Sequence, residues 1–315
     1  MSQLSFISLA HAKKELRREV FLKHMEQIIP WQRLLDLLLP FYDEKRMGRH
    51  KMPLVRMLKI LCLQQWYNLS DPAMEEEIYD RMTFQTFLEI DLLKDPVPDE
   101  TTILNFRHFL EEHGLQGCIF EEIKEFLTER GFLMKQGTIV DATLIAAPPS
   151  TKNKQKQRDP EMSSTKKNNQ WYFGMKTHIG VDAESGLVHT VIATTAKRHD
   201  STQLEELLHG EEKEIFGDKA YADEAKARAC DELGIVWGVL AKAPKGGELT
   251  QVQKDWNLQM SRIRAAVEHP FQVIKCQWGH RKARYRGIAK NWEQFYLLFG
   301  LHNLFKVRKK LLIPA

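Results

Sequence analysis

Cysteine is scarce in this chain, and so are long apolar runs. Its 315 residues include 4 cysteines, Cys62, Cys118, Cys230 and Cys276, far apart and with no Cys-x-x-Cys pair. That spacing excludes a disulfide framework and a zinc-finger scaffold, and it fits a reduced, cytosolic protein. No apolar stretch approaches the roughly 20 residues of a membrane helix. The run LLDLLLPFY (34–42) is short and carries Asp36 and Pro40. The N-terminal stretch has no basic start followed by an apolar segment and a small-residue cleavage site, so no secretion signal is expected. Self-similarity at a period of 20 to 50 residues is also missing, which excludes a solenoid or propeller.

What is present is an ordinary globular composition, 43% apolar and 28% charged. It suffices to bury a core in one large domain or two of ordinary size. The net charge of +4 conceals an asymmetry. Residues 242–315 hold 15 Lys/Arg against 4 Asp/Glu, and residues 146–176 hold 7 against 2. The remainder is net acidic. Any one of these lysines reads best as solvated surface. Two basic blocks on an acidic chain read as a polyanion-binding face, with nucleic acid the first candidate.

Residues 1–130 carry apolar residues at helical spacing. The segments HAKKELRREVFLKHMEQII, PWQRLLDLLLPFY, PLVRMLKILCLQQWYNL, DPAMEEEIYDRMTFQTFLEI, DETTILNFRHFLEEHGL and QGCIFEEIKEFLTERGF predict successive helices, with the basic connection EKRMGRHKMP between the second and third. Asp71 and Asp99 are the expected N-caps, and Gly114 and Gly131 the expected ends. The pattern changes at Gly137. TIVDATLI is a β-branched run suited to a buried strand. A polar stretch (147–170) has no periodicity and predicts a mobile loop. WYFGMKTHIGVD and LVHTVIATTA predict strands joined by the turn AESG. DSTQLEELLHG, EIFGD, ADEAKARACDELG and IVWGVLAK then alternate helix and strand. A long helix from about Lys254 to Trp278 and a final helix follow the last strand. Three opening strands and then alternating helix and strand predict an α/β fold: a ribonuclease-H-like mixed sheet flanked by helices, behind an all-α N-terminal domain. Fold order alone assigns no function, so the site must carry that argument.

Three acidic residues stand out. Asp141 lies inside TIVDATLI, where a carboxylate is costly unless something satisfies it. A lone Asp there reads best as one on a solvated strand face. Asp218 follows EIF at the carboxyl end of a second strand, where ligand groups collect, although Gly217-Asp218 is also turn chemistry. Glu268 lies in SRIRAAVEHPFQVIK, with Arg264 four residues before it and Lys275 seven after, along one helix face. An exposed ion-paired face is the plain alternative. Val267, Phe271 and Ile274 put a packing face beside it. Pro270 is expected to kink this helix just after Glu268. Phosphodiester cleavage develops charge on attacking, leaving and phosphoryl oxygens, which two divalent cations about 3.5–4 Å apart can stabilise. Mg²⁺ takes oxygen ligands and keeps several waters, so a few carboxylates suffice.

These residues resemble the DDE transposases of the bacterial insertion-sequence-five group over nearly the whole length. The matching pieces are RHKMPLVRMLKILCLQQWYNLSDPAMEEEI and DETTILNFRHFLE in the helical part. In the catalytic part they are TIVDATLI, IFGDKAYAD and the Arg-x3-Glu-x6-Lys pattern of Arg264, Glu268 and Lys275. The family signature begins with Tyr three residues before the Arg, where this chain has Ser261. The resemblance implies a helical DNA-end-binding and dimerisation domain (1–130) and a ribonuclease-H-like DDE catalytic domain (131–315). It implies that Asp141, Asp218 and Glu268 bind two Mg²⁺, with Mn²⁺ able to substitute. Arg264 and Lys275 would contact DNA near the scissile phosphate, and Ser261 joins that set by position. The implied reaction is 3′-end cleavage followed by strand transfer of an insertion sequence. Double-stranded DNA is the implied partner, both terminal inverted repeats and target. A homo-oligomer in the active complex is also implied, in the bacterial cytoplasm and on the nucleoid when DNA is bound.

Further DNA contacts are expected in the basic segments. Lys152, Lys154, Lys156 and Arg158 belong to the polar stretch, which would clamp DNA or simply be solvated. Trp171 is placed to stack on an unpaired base, although packing is the commoner role for an aromatic at a strand start. GHRKARYRG supplies Arg281, Lys282, Arg284 and Arg286 for phosphate contact. Asp200 reads as an N-cap, His199 as a surface residue, Asp182 as a turn residue and Tyr221 as core. The helical part has room for a helix-turn-helix, with no helix marked as the reader. Two rivals remain: a structure-selective nuclease on the same fold, and an inactive transposase-derived DNA-binding protein.

Overall fold

The computed structural model describes residues 14–42, 51–133, 136–152, 154, 156–167 and 169–313. The start of the first expected helix and most of the basic connection EKRMGRHKMP lie outside the described residues. Among the described residues seven helices come first: α1 (Arg17–Ile28), α2 (Trp31–Leu38), α3 (Leu54–Tyr67), α4 (Asp71–Asp80), α5 (Met82–Leu88), α6 (Glu100–Glu112) and α7 (Leu115–Glu129). Asp99 caps α6 as expected, its Oδ1 accepting from Thr102 N at 2.7 Å. Gly114 ends that helix at φ 61, the left-handed conformation that glycine adopts without a Cβ penalty. The cap of α4 is Ser70, not Asp71. Asp71 instead accepts from Gln64 and, at 3.0 Å, from the buried Arg107 on α6.

The sheet contains β1 (Gly137–Ala146), β2 (Ser163–Lys167), β3 (Gln170–Asp182), β4 (Val188–Thr195), β5 (Glu214–Gly217) and β6 (Val236–Val239). β1 is antiparallel to β3 and parallel to β5. β5 is parallel to β6, and β4 and β2 both pair antiparallel with β3. The order β4-β3-β1-β5-β6, antiparallel in its first half and parallel in its second, is the ribonuclease-H-like arrangement. β2 is a correction to the sequence reading, which took 147–170 as an unstructured loop. SSTKK has no apolar residue to reveal a strand, because it pairs only with the first residues of β3, Gln170 to Gly174, and faces solvent widely.

The helices after β4 are α8 (Leu204–Leu207), α9 (Glu224–Glu232), α10 (Gln251–Arg264), α11 (Glu268–Gln272) and α12 (Ile288–Leu311). A 3-10 turn (Ala265–Val267) joins α10 to α11, and a π turn (Val273–Gln277) follows α11. Pro270 therefore falls in the first turn of α11, where its missing N–H costs least. The long helix of the sequence reading is one rod with two changes of winding.

The helical part and the sheet share one apolar core. α12 lies against α7 on one side and β4 on the other, burying Leu297, Leu298, Phe299, Leu301 and Leu304. Buried Gln294 donates to Gln65 of α3 at 3.0 Å. None of the described helices is long and apolar enough to cross a membrane.

Candidate active site

Asp141 and Asp218 come together through strand register. Ile139 pairs with Phe216 across the parallel β1–β5 ladder. Asp141, in the middle of β1, and Asp218, just past the end of β5, each lie two residues further on, so their side chains leave neighbouring strands on the same side. Each carboxylate is steadied by its own backbone: Asp141 Oδ1 accepts from Ala142 N, and Asp218 Oδ1 from Ala220 N, both at 2.8 Å.

Glu268 reaches them from the helical rod. The 3-10 turn packs on β1, with Val267 fully buried. α10 is fixed to the end of β6 by Asn257, whose Oδ1 accepts from Ala241 N at 2.7 Å and whose Nδ2 donates to Ala241 O at 3.1 Å. The rod thus crosses the carboxyl ends of the parallel strands. Asp141, Asp218 and Glu268 line one cleft of about 520 Å³, together with Thr143, Lys167, Arg264, Phe271, Gln272, Lys275 and Cys276.

The carboxylates differ in exposure. The Asp141 side chain is 16% exposed and that of Glu268 61%. Burial pushes the Asp141 pKa up to about 6 against the pull of Ala142 N–H and Arg264, and the charges of Glu268 and Asp218 raise it further. Arg264 sits between the acids. Its Nη2 donates to Glu268 Oε1 at 2.9 Å, and its Nη1 lies 3.9 Å from Asp141 Oδ2 with no hydrogen-bond partner. The guanidinium is the counter-charge of the cleft and holds Glu268 to its own helix. In this arrangement no three His, Cys, Asp or Glu side chains among the described residues are grouped tightly enough to hold a metal ion. The donor set is nonetheless the kind hard divalent cations take, carboxylate oxygens at one mouth.

The other expected site residues scatter around this cleft. Lys275 lines it but points into the fold, with Nζ donating to Thr143 Oγ1 at 2.6 Å and to Leu144 O at 2.7 Å. Burial lowers its pKa to about 8, and nearby Lys167 adds to the effect. Ser261 is exposed on α10. Lys152, Lys154, Lys156 and Arg158 are exposed, Arg158 donating to Pro149 O at 2.9 Å. Trp171 is 68% exposed at the start of β3, so the packing role preferred for it fails. Arg281, Lys282 and Arg286 are exposed, Arg281 donating to Lys275 O at 3.1 Å. Arg284 turns inward, donating to Leu69 O at 2.6 Å and to Asn68 O at 2.8 Å. Its donors tie the basic segment to the α3–α4 turn.

Several side chains near the cleft carry more than the sequence reading gave them. His199, not Asp200, caps the short turn after β4. Asp200 accepts from Lys176 Nζ at 2.8 Å and lies 4.0 Å from the buried His178 Nδ1. Tyr221 is core as expected, and its hydroxyl has no hydrogen-bond partner. Burial raises its pKa, as do the charges of Asp200, Asp141 and Asp218. Asp182 holds its turn by accepting from Ser185 N at 2.6 Å. Thr143 was missed as a cleft residue, and Lys167 was read only as one of the basic residues of the polar stretch. Lys167 comes to the cleft through the strand that polar SSTKK concealed.

Two family models match this sequence. The one described as "Transposase DDE domain" covers residues 133–304, and the one described as "Transposase domain (DUF772)" covers residues 10–109. The chain belongs to the DDE-domain transposase family. The first match spans the sheet, the rod and most of α12, and the second most of the helical part. Among solved structures, the chain is similar to the piggyBac transposase in a synaptic complex with hairpin DNA. That likeness has 9% identity and a TM-score of 0.45, over 94% of this chain and 76% of that one. It is also similar to the Mos1 strand transfer complex, at 16% identity and a TM-score of 0.24, over 84% of this chain and 79% of that one. At these scores neither likeness bears on the chemistry of the cleft.

Proposed function

We propose that this transposase cuts DNA at the 3′ ends of an insertion sequence and joins them to target DNA, with Asp141, Asp218 and Glu268 as the ligands of two Mg²⁺ or Mn²⁺ ions. The support is the single cleft that these three carboxylates line, walled by Arg264 and Lys167. When bound, the cations supply Lewis acidity at the scissile phosphate and lower the pKa of an attacking water or 3′-hydroxyl. The chain does the rest. Asp141 and Asp218 offer oxygens fixed by adjacent backbone N–H groups, so little reorganisation is needed on their side. Glu268 swings from Arg264 toward them, and the released guanidinium becomes available to a phosphate oxygen, which it grips bidentately.

The DNA path runs over the exposed basic residues. Lys152, Lys154, Lys156 and Arg158 contact the duplex together with Arg281, Lys282 and Arg286, whose segment packs beside theirs. Trp171 offers a flat apolar face for a base unpaired near the cut. Ser261 faces the same path from α10. The helical part binds transposon ends, and joining two ends requires at least two copies in the active complex. The expected location is the bacterial cytoplasm, on the nucleoid.

The test is a pair of assays on the purified chain, supercoiled-plasmid nicking and joining of pre-cut ends, each with Mg²⁺ or Mn²⁺ against EDTA. Asp141→Asn, Asp218→Asn and Glu268→Gln are each expected to lower cleavage by about a hundred- to a thousandfold, the scale at which removing one electrostatic element acts. Duplex binding should stay within a few-fold of wild type. Metal-dependent cutting retained by any of the three removes that residue from the site. Cutting without joining identifies a nuclease.

A further inference from the structure

Lys275 is seven residues beyond Glu268, and its ammonium is already engaged. Both of its hydrogen bonds go to β1, to Thr143 Oγ1 and Leu144 O, two and three residues beyond Asp141. The π turn that carries it adds one residue to the helical circuit, which rotates Lys275 onto the strand. Its own carbonyl is held by Arg281 Nε, and Ala283 N donates to Ala146 O at 2.8 Å. The rod is therefore pinned on both sides of Glu268. Asn257 fixes it to the end of β6 before Glu268, and Lys275 fixes it to β1 after Glu268.

We propose that Lys275 is a positioning residue that clips the Glu268 rod to the Asp141 strand and sets the gap between the two carboxylates, rather than a phosphate anchor. The inference rests on the reading of Asp141 and Glu268 as joint cation ligands. Two ligands on separate elements make one site only while the elements keep their spacing. Cation affinity is then sensitive to a residue that never touches the ion. A lysine spent on Thr143 and Leu144 also has little left for a phosphate, and its low pKa agrees with an ammonium withdrawn from water.

Two measurements on the full chain separate the roles. The first is Mn²⁺ binding without DNA, by calorimetry or by the loss of the free-ion electron resonance signal. The second is the salt dependence of binding to a duplex without divalent cations. Lys275→Met keeps the apolar stem and removes the donors. It is expected to weaken Mn²⁺ binding by ten-fold or more while leaving the slope of log K against log salt as in wild type. Lys275→Arg should restore part of the affinity. Thr143→Val, which removes the acceptor on the strand side, should weaken Mn²⁺ binding a few-fold, and it carries the test if Lys275→Met does not fold. Wild-type Mn²⁺ affinity in the folded variants overturns the proposal, and a slope reduced by about 0.9 would then identify a phosphate contact. A wild-type chain that binds no Mn²⁺ overturns the joint-ligand reading itself, a distinguishable result.

Discussion

Asn303 uses both ends of its side-chain amide on one residue. Its Oδ1 accepts from Val188 N at 2.9 Å and its Nδ2 donates to Val188 O at 2.7 Å, all of it buried. The pair fastens α12 to the first residue of β4. Asn303→Ala would leave a buried donor and a buried acceptor without partners, a cost of about 2–4 kcal/mol. Urea unfolding measures it, and a change below about 0.5 kcal/mol would show that water replaces the amide. Nothing in the sequence marks Asn303, because a polar residue in a long helix reads as solvent-facing until the packing is known. Asp141 was legible for the opposite reason. A carboxylate inside a β-branched run breaks the local pattern, and the break is itself a signal. The inward turn of Arg284 was invisible, since its acceptors, Leu69 O and Asn68 O, are far away in sequence.

Among the elements, β3 does the most to organise the site. It pairs with β1, β4 and β2, and Gly174 is where these meet. A Cβ at Gly174 would come within 2.1 Å of Ile145 O and 3.0 Å of Ala147 N. Those are backbone atoms of β1 and its exit, and they cannot move aside cheaply. Gly174→Ala is expected to destabilise the fold by about 2–4 kcal/mol, read as a lower urea midpoint. Metal-dependent cutting should fall as well, because Thr143 and Leu144 lie just upstream. A variant as stable as wild type would show that the two strands separate freely there. β1, β3, β4 and β5 could be found from β-branched runs and turns. β2 could not, having no apolar face. The long rod was legible in extent, and its winding was not: the 3-10 and π turns follow from where Val267 packs and where Lys275 finds acceptors.

At the scale of the whole molecule, buried histidines make stability depend on pH, His280 and His302 among them. His280 sits between α3 and the basic segment, its Nε2 hydrogen-bonded to Gln65 O at 2.7 Å, and burial lowers its pKa to about 4. His302 is fully buried in α12, and burial lowers its pKa to about 3. Both stay neutral in the fold while the unfolded chain takes up protons near pH 6.5. Their contribution is therefore full above pH 6.5 and is lost as pH falls from there toward 4. Each gives at most about 1.4 kcal/mol per pH unit in that window. Urea midpoints at pH 7.5, 6 and 5 should fall in that order, and a flat profile would show that water reaches both rings. The shared core does not show in the sequence, because α12 reads as apolar all round whichever neighbour it serves.

That helix has a consequence for how the protein is made. Residues 288–311 fill the space between α7 and β4, so neither layer can close before they leave the ribosome. The nascent chain must wait with both half-built surfaces exposed, a state that invites chaperones and slow folding. A prematurely stopped translation product lacking this helix would be unable to assemble the cleft, although Asp141, Asp218 and Glu268 had all been synthesised.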